Sequence, residues 1–308
     1  MRSRQILNHL YYNRPTISLC IIAKNEENNL RRIYDTFNSL CSELILVDTG
    51  SSDNTFSAAS DLGFMVHHYN WDDDFAGARN YSISHAKGDW ILIIDPDEYV
   101  NSCDIPLLRH LVTFSNIIAY RFITRNYTIV SDSVGFIKSP GNYPEEKDYP
   151  GFVPSFKCRL FRNHHNIRFE GCYHEMIDYY LARNSLRVEN SPVPVHHYPS
   201  ELSNSEMLDK KSLYLRLATK KVTTDPFNAK AWWEYATTCR IAGDIIECLR
   251  AMDISLNLKY DNPSQLIEYC TILKKSGNID KFNHIFEKWL CATHLNLTHI
   301  DENAKIRY

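Results

Sequence analysis

Over the first hundred positions, apolar residues fall in short runs that alternate with polar breaks. Ile17 to Ala23 (ISLCIIA) is a continuous apolar run rich in β-branched residues, the pattern of a strand buried on both faces. Lys24-Asn25-Glu26-Glu27 ends it, and Leu30, Ile33, Tyr34 and Phe37 then recur at helical spacing. Leu44 to Val47 predicts a second strand, running into the polar turn Asp48-Thr49-Gly50-Ser51-Ser52-Asp53. Asn54 to Leu62 follows as a helix, with Asp53 as its N-cap and Gly63 at its C-terminal end. Phe64 to His67 predicts a strand and Phe75 to Ala86 a helix stopped by Lys87-Gly88. Trp90 to Ile94 is a fourth strand, emptying into Asp95-Pro96-Asp97-Glu98. Strand and helix alternate three times, which predicts an α/β unit with a mainly parallel sheet and a ligand site beyond the carboxyl ends of its strands.

The rhythm changes after Ser102. Pro140, Gly141, Pro144, Pro150, Gly151 and Pro154 mark a turn-rich insertion over 126–155, flanked by strand-like Ala119 to Thr124 and Lys157 to Phe161. From about Asn204 the pattern is helical, with candidates at Met207–Val222, Ala229–Ala242, Ile245–Leu256, Ser264–Ser276 and Ile279–Ala292. Ala242-Gly243-Asp244-Ile245 and Ser276-Gly277-Asn278-Ile279 recur 34 residues apart, the tetratricopeptide period. The expected division is therefore a catalytic unit over 1–202 and a helical, TPR-like region over 203–308.

Composition narrows the class. With 308 residues, 44% hydrophobic and 23% charged, the chain has material for a core and is not predominantly disordered. A formal net charge of −3 gives no basic footprint for nucleic acid. No apolar run reaches the ~20 residues of a membrane helix, and Met1 to Arg14 lacks the apolar stretch of a secretory signal. Nine cysteines without CxxC or zinc spacing suit free thiols in a reducing compartment, so a cytoplasmic location is expected. No GxGxxG, Walker loop or GxSxG is present, which disfavours dinucleotide enzymes, P-loop enzymes and serine hydrolases.

The polar residues at the strand ends carry the candidate chemistry. Asp95 and Asp97 at a buried strand exit would repel unless a proton or a hard cation such as Mg2+ or Mn2+ compensates them. The bland alternative is a solvated turn. Asp48 can accept hydrogen bonds from a ribose or base edge, or cap the following helix. Arg79 either clamps a phosphate bidentately or partners Asp72-Asp73-Asp74 on the surface. His174-Glu175 pairs an imidazole with a carboxylate able to act as general base, and strand alternation would turn one of the two toward a site. His196-His197 adds a possible metal ligand.

Taken together, Ile17 to Glu27 with Leu30, Leu46-Val47-Asp48-Thr49-Gly50-Ser51-Ser52-Asp53-Asn54-Thr55, Phe75-Ala76-Gly77-Ala78-Arg79-Asn80, Gly88-Asp89-Trp90-Ile91-Leu92 and Asp95-Pro96-Asp97-Glu98 resemble family 2 glycosyltransferases of the GT-A fold. Arg159-Leu160-Phe161-Arg162-Asn163 and Phe169-Glu170-Gly171 to His174-Glu175 are similar to the subgroup carrying TPR-like helices. That resemblance implies transfer of a sugar, with inversion, from a nucleotide sugar, commonly a UDP-sugar, to a hydroxyl or thiol of a glycan, peptide or protein. By the same likeness Lys24, Asn25, Glu26 and Asp48 would hold the uridine, and Arg79 would lie near the diphosphate. Asp97 would ligate Mg2+ or Mn2+, Asp95 would touch ribose or metal, His197 would be a further ligand, and Glu175 would be the base. Pro96, where relatives more often carry a small residue, and the 126–155 insertion depart from the pattern. A non-catalytic nucleotide-sugar-binding scaffold and a nucleotidyltransferase are the competing readings, and self-association through the helical region is a further expectation.

Overall fold

The computed structural model describes residues 14–133, 135–164, 166–199, 204–258 and 263–293. The chain divides into two compact units, with the boundary between Glu201 and Leu202.

The first unit opens with β1 (Ile17–Ala23), α1 (Glu27–Phe37), β2 (Glu43–Asp48), α2 (Thr55–Leu62), β3 (Met65–His68), α3 (Phe75–Ser84) and β4 (Trp90–Ile93). Every residue of β1 is buried, as its unbroken apolar run requires. In α1 the buried positions are Leu30, Ile33 and Phe37, one stripe of a helix whose other faces meet water. Gly63 ends α2 in the left-handed conformation, with φ 91°. Gly88, just before β4, is required for a different reason. A Cβ there would lie 2.7 Å from the Ser18 backbone nitrogen, so only glycine lets β4 pair with β1.

These four strands are parallel in the order β3-β2-β1-β4. The chain leaves β1 for β2 on one side and returns to β4 on the other, so a topological switch point lies between β1 and β4. Lys24 to Glu26 and Asp95 stand at that crevice.

Beyond β4 the sheet turns mixed. It adds β5 (Glu98–Tyr99), α4 (Ile105–Leu111), β6 (Ala119–Thr128), β7 (Ile137–Lys138), β8 (Gly151–Arg162), α5 (Asp178–Arg183), β9 (Val188–Asn190) and β10 (Val195–His197). β8 runs antiparallel to both β4 and β6, and β10 lies between β6 and β5. The insertion expected over 126–155 is therefore shorter than the Pro and Gly pattern suggests. Asn126 to Thr128 belong to β6 and Gly151 to Ser155 to β8, paired in continuous register from Thr128↔Gly151 to Arg121↔Cys158. Pro154 sits within β8 opposite Arg125. What remains, residues 129–150, is tied back by Glu146, which pairs with Arg125 on β6 and accepts from the Gly141 and Asn142 amides.

The second unit is all helical: α6 (Asn204–Thr224), α7 (Ala229–Ala242), α8 (Ile245–Asn257), α9 (Pro263–Lys275) and α10 (Ile279–Thr293). Its core packs Trp233, Ala236, Cys239, Met252, Tyr269 and Leu273. The 34-residue period is geometric as well as sequential. Asp244 N–H bonds to Cys239 O and Asn278 N–H to Leu273 O, both at 2.9 Å, and Gly243 and Gly277 have φ 93° and 77°. Among the described residues no helix is long and apolar enough to cross a membrane.

Candidate active site

The carboxyl ends of β1 and β2 form a turn moulded by side-chain-to-backbone hydrogen bonds. Asn25 adopts φ 58°, and its side-chain oxygen accepts from the Ser52 amide at 2.8 Å while its own amide donates to Ser51 Oγ at 2.9 Å. Asp48 is buried, with Oδ1 accepting from the Gly50 and Ser51 amides at 2.7 and 2.8 Å. Asp53 accepts from Thr55 N and Oγ1, which lowers its pKa against a burial cost. Asn54 occupies the cap position itself. Glu26 takes a 2.7 Å hydrogen bond from Asn29. Burial raises the Glu26 pKa, opposed by that hydrogen bond and reinforced by the charges of Asp97, Asp53 and Asp95. Lys24 is exposed beside this turn.

Asp97 and His197 meet although 100 residues separate them, because β10 pairs with β5 and sets His197 opposite Glu98. His197 Nε2 lies 3.3 Å from Asp97 Oδ2. The other ring nitrogen, Nδ1, is 3.0 Å from Asn126 Oδ1. The Asn126 amide nitrogen donates to Val153 O at 2.9 Å and Ser155 Oγ at 3.1 Å. Its oxygen is thereby left to accept from Nδ1–H, while Nε2 points at Asp97 and donates to it when the ring carries both protons. The Asp97 hydrogen bond raises the His197 pKa, burial opposes it, and Asp97, Glu98 and Asp95 add by charge. A carboxylate oxygen and an oriented imidazole nitrogen suit Mn2+ or Mg2+ completed by phosphate oxygens and water. Among the described residues no group of three His, Cys, Asp or Glu is gathered for a metal.

Asp95 faces the other way. Arg79 Nη2 lies 2.5 Å from Asp95 Oδ1, and Arg79 Nε lies 2.6 Å from Glu175 Oε1. Lys157 Nζ is 3.7 Å from Asp95 Oδ2. Burial opposes the Asp95 charge, but Arg79, Lys157 and Arg159 outweigh it and hold the carboxyl well below its usual range. Arg159 is itself buried in a two-pronged pair with Glu98, which also accepts the Asp95 amide at 2.9 Å. A cleft lined by Arg79, Asp95, Lys157, Phe169, Glu175 and Asp178 opens here.

Glu175 does not reach the cleft by strand alternation. His174 has φ 52° and is exposed, while Glu170 and Met176 close the loop with paired backbone hydrogen bonds that turn Glu175 inward. The structure thus gathers Glu26, Asp95, Asp97, Glu175 and His197 around the switch point. Arg79 pairs with Asp95 and Glu175, while Asp74 caps α3 by accepting the Gly77 amide. Lys157, Asn126 and the Glu98–Arg159 pair are site components that motif reading missed. Of these Glu98 carried a signal in its place directly after Asp97, and Arg159 in its place at the head of Arg159-Leu160-Phe161-Arg162-Asn163.

Residues 18–167 match the family model described as glycosyl transferase family 2. The chain is 33% identical over 189 residues to a TPR repeat-containing protein of Synechococcus elongatus, covering 59% of this chain and 42% of that one. It is 24% identical over 276 residues to the SPbeta prophage-derived glycosyltransferase SunS of Bacillus subtilis, covering 86% of this chain and 60% of that one. The chain thus spans about half the length of these relatives. Among solved structures, S. aureus TarS 1–349 in complex with UDP-GlcNAc aligns with a TM-score of 0.46 and 12% identity, covering 90% of this chain and 92% of that one.

Proposed function

Residues 18–167 belong to glycosyl transferase family 2, and from that premise we propose that the chain transfers a sugar, with inversion, from a UDP-sugar to a hydroxyl or thiol acceptor. The observation that carries this reading is the convergence of Asp97 and His197 on one side of the switch point with Glu175 on the other. The uridine and ribose would occupy the crevice shaped by Lys24, Asn25, Glu26 and Asp48. Asp97 and His197 would hold the Mn2+ or Mg2+, which would neutralise charge on the departing diphosphate.

The remaining chemistry falls to side chains. Glu175 takes the acceptor proton as the acceptor oxygen or sulfur attacks the anomeric carbon from the face opposite the diphosphate. One displacement inverts the centre, and no enzyme nucleophile is needed. Asp95, fixed by Arg79 and by the Glu98 contact to its amide, presents a rigid carboxylate to the donor between the two groups.

The test is a thermal-shift screen of nucleotide sugars with and without Mn2+, followed by measurement of UDP release. A UDP-sugar should raise the melting temperature more with Mn2+ present, and Asp97→Asn should abolish that metal-dependent increment while leaving the ligand-free melt unchanged. Stabilisation without UDP release would instead fit the binding scaffold, and pyrophosphate release from a nucleoside triphosphate the nucleotidyltransferase.

A further inference from the structure

Arg79 was the natural candidate to clamp the diphosphate, but its surroundings leave it no such freedom. The residue is 6% exposed. Nε is committed to Glu175 and Nη2 to Asp95, and the guanidinium carbon sits 5.6 Å from the centroid of the Phe169 ring. Nη1 is buried and has no hydrogen-bond partner among the described residues. Reaching a phosphate through Nε or Nη2 would mean breaking a charge-assisted hydrogen bond in a buried setting, and Nη1, the one donor left over, is enclosed by protein. Of the three cations acting on Asp95, Arg79 and Arg159 have side chains 8% and 2% exposed, whereas Lys157 is 50% exposed. Of these three, Lys157 is the one with surface left to meet an anionic ligand.

What Arg79 does control is the relation between two loops. α3 is latched to the segment before Glu175 at three points. Phe75 N–H donates to Cys172 O at 3.1 Å, the Asn80 amide nitrogen donates to Phe169 O at 2.9 Å, and Asn80 Oδ1 accepts from Phe169 N–H at 2.8 Å. Arg79 leaves the same helix and reaches both Glu175 and the exit of β4. One guanidinium fork thereby fixes the spacing between Asp95 and Glu175, which lie 80 positions apart in the chain. Glu175 Oε1 is taken by Arg79, while Oε2 has no hydrogen bond to any described residue.

We propose that Arg79 is a positioning residue that holds Glu175 at a fixed distance from Asp95, presenting Oε2 to the acceptor, and that it does not bind the diphosphate. The proposal rests on Glu175 being the base, so its test must separate the two. Parent, Arg79→Lys, Glu175→Gln and the double variant are compared for acceptor transfer, donor KM, slow donor hydrolysis and melting temperature. A lysine keeps the charge but cannot bridge two carboxylates as a fork. Arg79→Lys should lower kcat for transfer about 10²-fold, as a misplaced catalytic group does. Donor KM should stay within about threefold, and in the Glu175→Gln background the substitution should cost no more than about twofold further, since it acts through that residue.

A donor KM raised about tenfold or more, or losses that multiply in the double variant, would overturn the proposal in favour of direct contact with the donor. Transfer at the parent rate in Glu175→Gln alone would remove the base assignment instead, whatever Arg79→Lys does. Should the lysine variant fail to fold, Arg79→Gln takes its place with the same readings. Loss of the folded state in both would show that Arg79 serves the fold first, and the proposal would fall.

Discussion

The two units hold their key residues in opposite ways. In the first, contacts that matter cross long stretches of chain: Arg79 to Glu175, Glu98 to Arg159, Asp97 to His197. Most are charge-assisted and buried. In the second, the defining hydrogen bonds close within five residues, at Gly243-Asp244 and again at Gly277-Asn278. Long-range buried electrostatics can set groups at chemically exact separations but fail when one partner is lost. Local capping repeats cheaply and degrades in small steps. Single substitutions should therefore be severe in the first unit and mild in the second.

The largest effect is expected at Glu175. Glu175→Gln is nearly isosteric and cannot accept a proton, so transfer should fall ~10²–10⁴-fold with little change in donor affinity. Comparison of transfer with donor binding on one preparation checks it, and unchanged transfer would move the base to Asp178 or His174.

Next comes the Glu98–Arg159 pair, buried on both sides. Arg159→Met strands the Glu98 carboxylate and should cost ~3–5 kcal/mol, read as a lowered urea midpoint. Adding Glu98→Leu should recover most of that stability. It should not recover transfer, because the Asp95 amide loses its acceptor. Recovery of both would mean that the pair serves packing alone.

The same contrast explains what could be read in advance. β1, β2, the helices between them and all five C-terminal helices follow from apolar runs, caps and a period, signals that lie within a few residues. The antiparallel extension follows only in part. Ala119 to Thr124 and Lys157 to Phe161 read as strands and lie within β6 and β8, but Arg125, Asn126 and the Pro- and Gly-rich stretch hide the outer halves, since the groups that satisfy them lie elsewhere in the chain. For the site, the strand-end acids were legible because topology puts ligands there. Arg79's true partners were not, because Glu175 is 96 residues away and the nearer Asp72-Asp73-Asp74 offered a plausible substitute.

His196 allows a pH test within the first unit. It is fully buried, hydrogen-bonded through Nδ1 to the Tyr127 hydroxyl at 2.7 Å, and its Nε2 has no hydrogen-bond partner among the described residues. Burial, aided by Arg125 and opposed by Glu146, lowers its pKa from 6.5 to about 4. The unfolded chain then binds the proton more readily than the folded one. The stabilising contribution is complete above pH 6.5 and is lost as pH falls toward 4, by at most about 3 kcal/mol. Urea melts of the parent between pH 7 and pH 4 should show this decline, and His196→Gln should flatten it. An equally steep acid limb in the variant would assign the loss to other groups.

The smallest effect belongs to the helical unit. Gly243 closes α7 at φ 93°, a conformation an L side chain adopts at a cost, yet a Cβ built there meets nothing within 4 Å. The penalty of Gly243→Ala is therefore backbone strain without steric collision, about 1–2 kcal/mol. Gly277, one period later, has φ 77° and the same open surroundings, so Gly277→Ala should cost a similar amount. Because each turn is satisfied within itself, the two losses should add to within about 0.5 kcal/mol in the double variant. Donor-binding affinity should not change in any of the three. Chemical denaturation of the singles and the double measures the first expectation and a UDP-sugar titration the second. A loss several-fold larger at either glycine, or a change in donor affinity, would show that these turns are not the self-contained elements their hydrogen bonds describe.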